Sequence, residues 1–108
     1  MKVKEKNNTV VFKKSSDDFS EFIEKIIEQP NLFKNKNILI DLEEIALRPS
    51  QIISFEPLAV LQKKQKKSFV IVADIDFDEV SEEIIVVPTL QEGFDIIEME
   101  EIERDLGF

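Results

Sequence analysis

Carboxylates are the side chains whose types and spacing could do chemistry in this sequence. Asp41, Glu43 and Glu44 close one apolar run, and Asp74 and Asp76 follow another. Paired acids can act as general acid and general base when burial separates their pKa values. Carboxylate oxygens are also ligands for divalent cations. The two clusters are therefore the first candidates for a site.

A calcium-loop pattern begins at Asp74 and continues through Asp76 and Asp78, but it is incomplete. An EF-hand loop needs glycine at its sixth position and glutamate at its twelfth, where this chain has Glu79 and Ile85. We therefore expect no bound metal or cofactor. A looser site for a divalent cation or small ligand stays open as an alternative.

The residues that most enzymes depend on are missing. The chain contains no histidine and no cysteine, which excludes a Ser-His-Asp triad, a cysteine nucleophile and thiolate zinc sites. Its two glycines, Gly93 and Gly107, cannot form a glycine-rich phosphate loop. We predict that the protein is not an enzyme.

Charge is distributed unevenly along the chain. Residues 1–72 hold 13 Lys and Arg against 10 Asp and Glu, whereas residues 73–108 hold 1 against 13. The net charge of −9 disfavours binding to nucleic acid. The acidic third is either a solvated helix face or a surface that attracts a basic protein.

Length and hydropathy predict one domain spanning 1–108 in the cytoplasm. The opening residues MKVKEKNN lack the apolar stretch of a signal peptide. No apolar run approaches the length that crosses a bilayer, so we expect no membrane partner.

Two short β-branched runs, Ile38–Leu42 and Phe69–Ala73, are typical of parallel strands buried on both faces of a sheet. A helical segment separates them, which predicts a strand–helix–strand unit. The carboxyl ends of parallel strands meet at one edge of a sheet, where ligands of such folds bind. This edge would bring the two carboxylate clusters together.

The helix between these strands should begin at Ser50, which follows Pro49 and is a good N-cap. Pro57 removes a backbone hydrogen bond, so we expect a kink or break near Ser54–Glu56. Lysines crowd the end of this helix at Lys63, Lys64, Lys66 and Lys67, where they either complement the helix dipole or form a basic patch.

The flanking segments complete an α/β fold of order β-β-α-β-α-β-α-β-α. Asn7-Asn8 suits a hairpin turn, and the lysine-rich hairpin should lie at one side of a mixed sheet. Thr89 should cap the last helix, with a bend or a restart beyond Glu98. We also expect a short helix or turn at 78–83. An apolar stripe predicts the inner face of the first helix: Phe19, Phe22, Ile23, Ile26 and Ile27.

Three stretches resemble the STAS family, the anti-sigma-factor antagonist and sulfate-transporter domain. They are the strand Ile38–Leu42 with its Asp-Leu ending, the lysine-led strand Lys66–Val72, and the strand-to-helix junction Val86–Phe94. The resemblance covers most of the chain. It implies a mixed sheet with parallel inner strands and about four helices.

Signalling members of that family carry an Asp-Ser-Ser-Gly turn, in which a kinase phosphorylates a serine and the added charge releases a partner. The matching turn here is Pro49-Ser50-Gln51-Ile52, where Ser50 keeps the hydroxyl and Gln51 replaces the usual phosphorylated serine. The resemblance implies that Ser50 is a candidate phospho-site. The alternative is that Ser50 only caps its helix.

These observations favour a non-enzymatic protein-interaction module that regulates a partner protein by docking through the turn and helix at Pro49–Phe55. The partner would be a protein such as an anti-sigma-factor-like kinase, or a second copy. A ligand-binding protein and a structural subunit of a larger assembly remain alternatives. The predicted partner-binding residues are Asp41, Glu43, Glu44, Pro49, Ser50, Gln51, Ser54, Asp74 and Asp76.

Overall fold

Two consecutive asparagines close the first hairpin. Strands β1 (Lys2–Lys6) and β2 (Thr9–Lys13) pair antiparallel, with Lys6 opposite Thr9. Asn7 and Asn8 both have positive φ, at 51° and 61°, a conformation that asparagine tolerates better than most residues. The predicted two-residue turn is confirmed.

The structure, a computed structural model, describes residues 1–14, 18–43, 48–74 and 84–107. Strands β3 (Asn37–Asp41), β4 (Phe69–Val72) and β5 (Ile85–Val87) extend the sheet in the order β1-β2-β3-β4-β5. Every pair after the hairpin is parallel. β3 and β4 are parallel neighbours, as predicted, with ends that differ by one residue from the sequence-based bounds. The mixed α/β fold is confirmed.

Three helices pack on one face of the sheet. They are α1 (Phe19–Ile27), α2 (Pro49–Ile53) and α3 (Glu56–Lys64), and a 3-10 turn at Pro30–Leu32 follows α1. Their core side chains meet alternate strand residues such as Phe12 and Ile40. Phe22 and Ile26 of α1 are fully buried, but Ile27 is exposed. The prediction that Ile27 belongs to the inner face of this helix is wrong, because Ile27 lies at the outer flank of the last helical turn.

The predicted break before Pro57 is confirmed. α2 ends at Ile53, and α3 restarts at Glu56 with Pro57 in its first turn, where no backbone N–H is required. The first helical position of α2 is also a proline, Pro49, and Arg48 is its N-cap. Ser50 is therefore the second residue of the helix, and its predicted role as N-cap is wrong.

Helix α4 (Leu90–Asp105) covers the opposite face, over β3, β4 and β5. Thr89 caps it as predicted, since its Oγ1 accepts a hydrogen bond from the Glu92 N–H at 3.2 Å. Gly93 lets the helix approach closely, because a Cβ there would lie 2.8 Å from Leu39 Cδ1. The helix runs without interruption over 16 residues, so the predicted restart beyond Glu98 is wrong.

Parallel strands give this sheet two different ends. We call the end where β2–β5 finish the carboxyl edge and the end where they begin the amino edge. The predicted helix at 78–83 lies outside the described residues. Among the helices that the structure describes, none is long and apolar enough to cross a membrane.

Candidate functional site

The carboxyl edge gathers the described acids of both predicted clusters. Asp41 is in register with Val72, and the ladder continues through Leu42 N–H to the Val72 carbonyl at 2.8 Å. Asp41, Glu43 and Asp74 therefore all lie at this edge. Glu44 and Asp76 lie outside the described residues.

Asp41 differs from its neighbours because it is buried, with 8% of its surface exposed. Its Oδ1 accepts a hydrogen bond from the Glu43 N–H at 3.1 Å. A carboxylate that bonds the backbone two residues ahead fixes a turn. Asp41 thus shapes the chain as it leaves β3, whereas Glu43 and Asp74 are exposed.

The turn into α2 is held by Gln51. Its Oε1 accepts a hydrogen bond from the Arg48 N–H at 2.9 Å, which satisfies a backbone donor before the helix starts. Ser50 is exposed next to it. The Ser54 hydroxyl donates to the Ser50 carbonyl at 3.3 Å and so spans the last turn of α2. Gln51 and Ser54 therefore order the segment that presents Ser50.

Phe55 anchors this segment from below. It is fully buried, and its ring lies 5.4 Å from the Phe19 ring and 6.3 Å from the rings of Phe22 and Phe69, measured between centroids. Ile52 is also fully buried. Residues of the predicted docking segment are thus divided, with Ile52 and Phe55 in the core and Ser50 and Ser54 at the surface.

A shallow apolar depression lies where α2 gives way to α3. It is lined by Ile53, Ser54, Glu56, Pro57 and Val60. Ile53 and Val60 are 41% and 38% exposed, although the residues just before them, Ile52 and Ala59, pack into the core. The helix break caused by Pro57 creates this concave surface, because two short helices meet there at a corner. We call it the α2–α3 depression.

The amino edge carries a hydrogen-bonded network that sequence patterns do not predict. Asn37 is fully buried, and its Oδ1 accepts from the Ser68 N–H at 2.8 Å and from Arg104 Nη2 at 3.3 Å. Its Nδ2 donates to Glu101, and Arg104 also donates to Ser68 Oγ at 3.1 Å. Asn37 therefore joins β3, β4 and α4. One sequence feature could have indicated this network: Arg104 is the single basic residue among positions 73–108.

A cleft of about 830 Å³ opens beside this network. The predicted lysine cluster lies partly here, since Lys63, Lys66 and Lys67 line the cleft together with Arg104. Glu100 and Asp105 of α4 line the same cleft and offset part of this positive charge. The lysines also follow the carboxyl end of α3, where cations complement the helix dipole. The cleft is a mixed-charge surface.

The described residues contain no group of three or more acids close enough together to hold a metal ion. Protein-family models gave no match to this chain, and a search of curated proteins found none either.

Proposed function

We propose that this chain is a STAS-like, non-enzymatic interaction module that docks a partner protein through the surface of the segment Pro49–Phe55. The α2–α3 depression is the observation that carries the proposal. Exposed apolar side chains around a concavity are typical of the centre of a protein interface. Here they line the depression together with Ser54, and Ile53 lies three residues from Ser50.

The docking segment is held in one conformation before a partner arrives. Phe55 and Ile52 fix it to the core, and the Arg48–Gln51 hydrogen bond orders its start. An ordered surface loses less conformational entropy on binding than a flexible loop does. The geometry therefore suits recognition by preformed contacts around Ile53 and Val60.

Acidic residues at the carboxyl edge and beside the depression favour a partner that has basic residues around an apolar projection. Glu43 and Asp74 are exposed at the carboxyl edge, and Glu56 borders the depression. Such charges set the orientation and rate of association more than affinity. Phosphorylation of Ser50 would add about two negative charges inside the contact area itself, and the cost of removing these charges from water would weaken docking.

The test compares complexes isolated from the protein's own cells by tagged wild-type chain and by two variants. Ile53→Asp places a charge in the depression, and Ile27→Asp places one on an equally exposed isoleucine of α1 outside it. We expect one stoichiometric partner with wild type and Ile27→Asp, and loss of that partner with Ile53→Asp.

Thermal unfolding of both variants must match wild type, which excludes misfolding as the cause. Retention of the same proteins by all three chains, or of none by any, would refute docking through the depression. The phosphomimetic Ser50→Asp should weaken the isolated complex several-fold in a binding titration, whereas Ser50→Ala should not.

A further inference from the structure

Helices cover the two faces of the sheet unequally. Of the described helices, α1, α2 and α3 pack on one face, and α4 alone packs on the other, over β3–β5. Val11 of β2 and Phe94 of α4 belong to the same core cluster and mark where this cover ends. On the α4 side, no helix of the described part of the chain therefore covers β1 or the outer flank of β2. All five residues of β1 are exposed.

The pairing register shows which side chains lie on this uncovered strip. Val3 pairs with Phe12, which faces the three-helix core, so the alternate residues of both strands face the α4 side. They include four lysines, Lys2, Lys4 and Lys6 of β1 and Lys13 of β2, which we call the lysine strip. The Lys6 ammonium lies 5.4 Å from the centre of the Phe94 ring, so the strip directly adjoins α4.

The outer side of α4 carries an apolar stripe that no described residue covers. Gly93, Ile97 and Arg104 point towards the sheet, which places Met99, Ile102 and Leu106 on the opposite side of the helix. These three residues are 57%, 53% and 67% exposed. Exposed acids border the stripe at Asp95, Glu98 and Glu103.

We propose that this face binds a second copy of the chain. The apolar stripe of α4 in each copy lies across the lysine strip of the other, with the two copies related by a twofold axis. Lysine stems cover the methionine, isoleucine and leucine side chains, and the ammonium groups reach the bordering acids. The surface is self-complementary, as a twofold interface requires.

Dimensions support a helix as the occupant of the strip. Two neighbouring strands span about 10 Å, which matches the diameter of one helix of about 10–12 Å. The 16 residues of α4 extend about 24 Å, so the helix also reaches past the strip onto the neighbouring surface. Each copy would contribute two bands to the interface, its α4 stripe and its lysine strip. Together the two bands of one copy cover on the order of 500 Å² in projection, which is the size of a small interface.

A second copy fits this face better than an unrelated protein does, because one chain supplies both halves of the match. The lysine strip and the acidic, apolar side of α4 are opposite in charge and lie side by side. This face is also remote from the α2–α3 depression, which belongs to the three-helix side of the sheet.

The experiment measures dimerisation of the full chain by sedimentation equilibrium over a concentration series. Ile102→Lys should weaken the dimer by about a hundredfold, because it places a further positive charge against the partner's lysines at the centre of the stripe. The double variant Lys4→Glu/Lys13→Glu should weaken it by about tenfold at low salt.

A charge exchange tests the pairing itself. Adding Glu98→Lys and Glu103→Lys to the Lys4→Glu/Lys13→Glu chain should restore dimerisation, since the opposite charges meet again with reversed sign. The variant Ile53→Asp should dimerise like wild type, which separates this proposal from the proposed function.

A wild-type chain that stays monomeric up to roughly 1 mM would overturn the proposal. So would a dimer that either Ile102→Lys or the lysine reversals leave unchanged, or one that the charge exchange does not restore. Circular dichroism of every variant must show the wild-type helix content, because all substituted side chains are exposed or partly exposed.

Discussion

The two edges of the sheet are built in opposite ways. At the amino edge, Asn37 links two strands and a helix through side-chain hydrogen bonds that span 31 to 67 positions of sequence. At the carboxyl edge, the polar side chains bond their own neighbourhood, as Asp41 does with the Glu43 N–H and Thr89 with the Glu92 N–H. One edge is cross-linked between layers, and the other is a series of local turns.

This difference determines where the molecule can vary its surface residues without losing its fold. Local turns keep their shape independently, so the carboxyl edge and the adjoining α2 can carry binding residues. The amino edge cannot carry such variable residues, because each of its side-chain hydrogen bonds needs a partner in another strand or helix. Within the described residues, every buried polar side-chain atom has a hydrogen-bond partner, which shows how completely that network is satisfied.

The largest effect should come from removing the centre of the amino-edge network. Asn37→Ala leaves the Ser68 N–H without its acceptor and removes one hydrogen bond each from Glu101 and Arg104, so we expect a loss of about 2–3 kcal/mol in the free energy of unfolding. The measurement is urea unfolding followed by circular dichroism.

Asp41→Ala is the matched variant at the carboxyl edge, where one local hydrogen bond is lost. Its expected cost is about 1 kcal/mol. Equal losses for the two variants would show that the edges do not differ in the way their contacts suggest.

A smaller effect is expected at the start of α4. Thr89→Ala removes the hydroxyl that accepts from the Glu92 N–H and should lower the free energy of unfolding by about 1 kcal/mol. Thr89→Ser keeps the acceptor and should stay within a few tenths of a kcal/mol of wild type. If alanine and serine behave alike at this position, the cap contributes nothing to stability.

The smallest effect should be a gain in stability at the amino edge. Lys66 has a φ of +61° where α3 ends, a conformation that glycine adopts without strain. Lys66→Gly should therefore raise the free energy of unfolding by about 0.5–1 kcal/mol. Lys67→Gly, at the next position, serves as the control and should not stabilise. A loss of stability in Lys66→Gly would mean that the lysine side chain contributes more than its backbone strain costs.

Sequence patterns predicted the features that depend on neighbouring residues. The turn at Asn7-Asn8, the break before Pro57 and the cap at Thr89 each follow from two or three residues whose backbone preferences are strong. The parallel pairing of β3 and β4 followed from their β-branched composition and the helix between them. These predictions are confirmed.

Sequence patterns failed where distant parts of the chain decide the outcome. A shift in the apolar stripe beyond Glu98 predicted a bend or a restart, yet α4 continues unbroken to Asp105, and its residues Glu101 and Arg104 bond to Asn37. No local pattern marks Asn37 as the residue they meet, 64 and 67 positions away. The α2–α3 depression was likewise hidden, because exposed Ile53 and buried Ile52 look alike in a sequence.

The strand order β1-β2-β3-β4-β5 has a consequence for how the chain assembles during synthesis. Each strand pairs with the strand made immediately before it, so the sheet can grow one strand at a time as the polypeptide leaves the ribosome. Helix α4 follows all five strands and contacts three of them. Until it docks, the apolar surface around Leu39 and Val70 stays open to water, and this nascent intermediate is the form of the protein most exposed to aggregation.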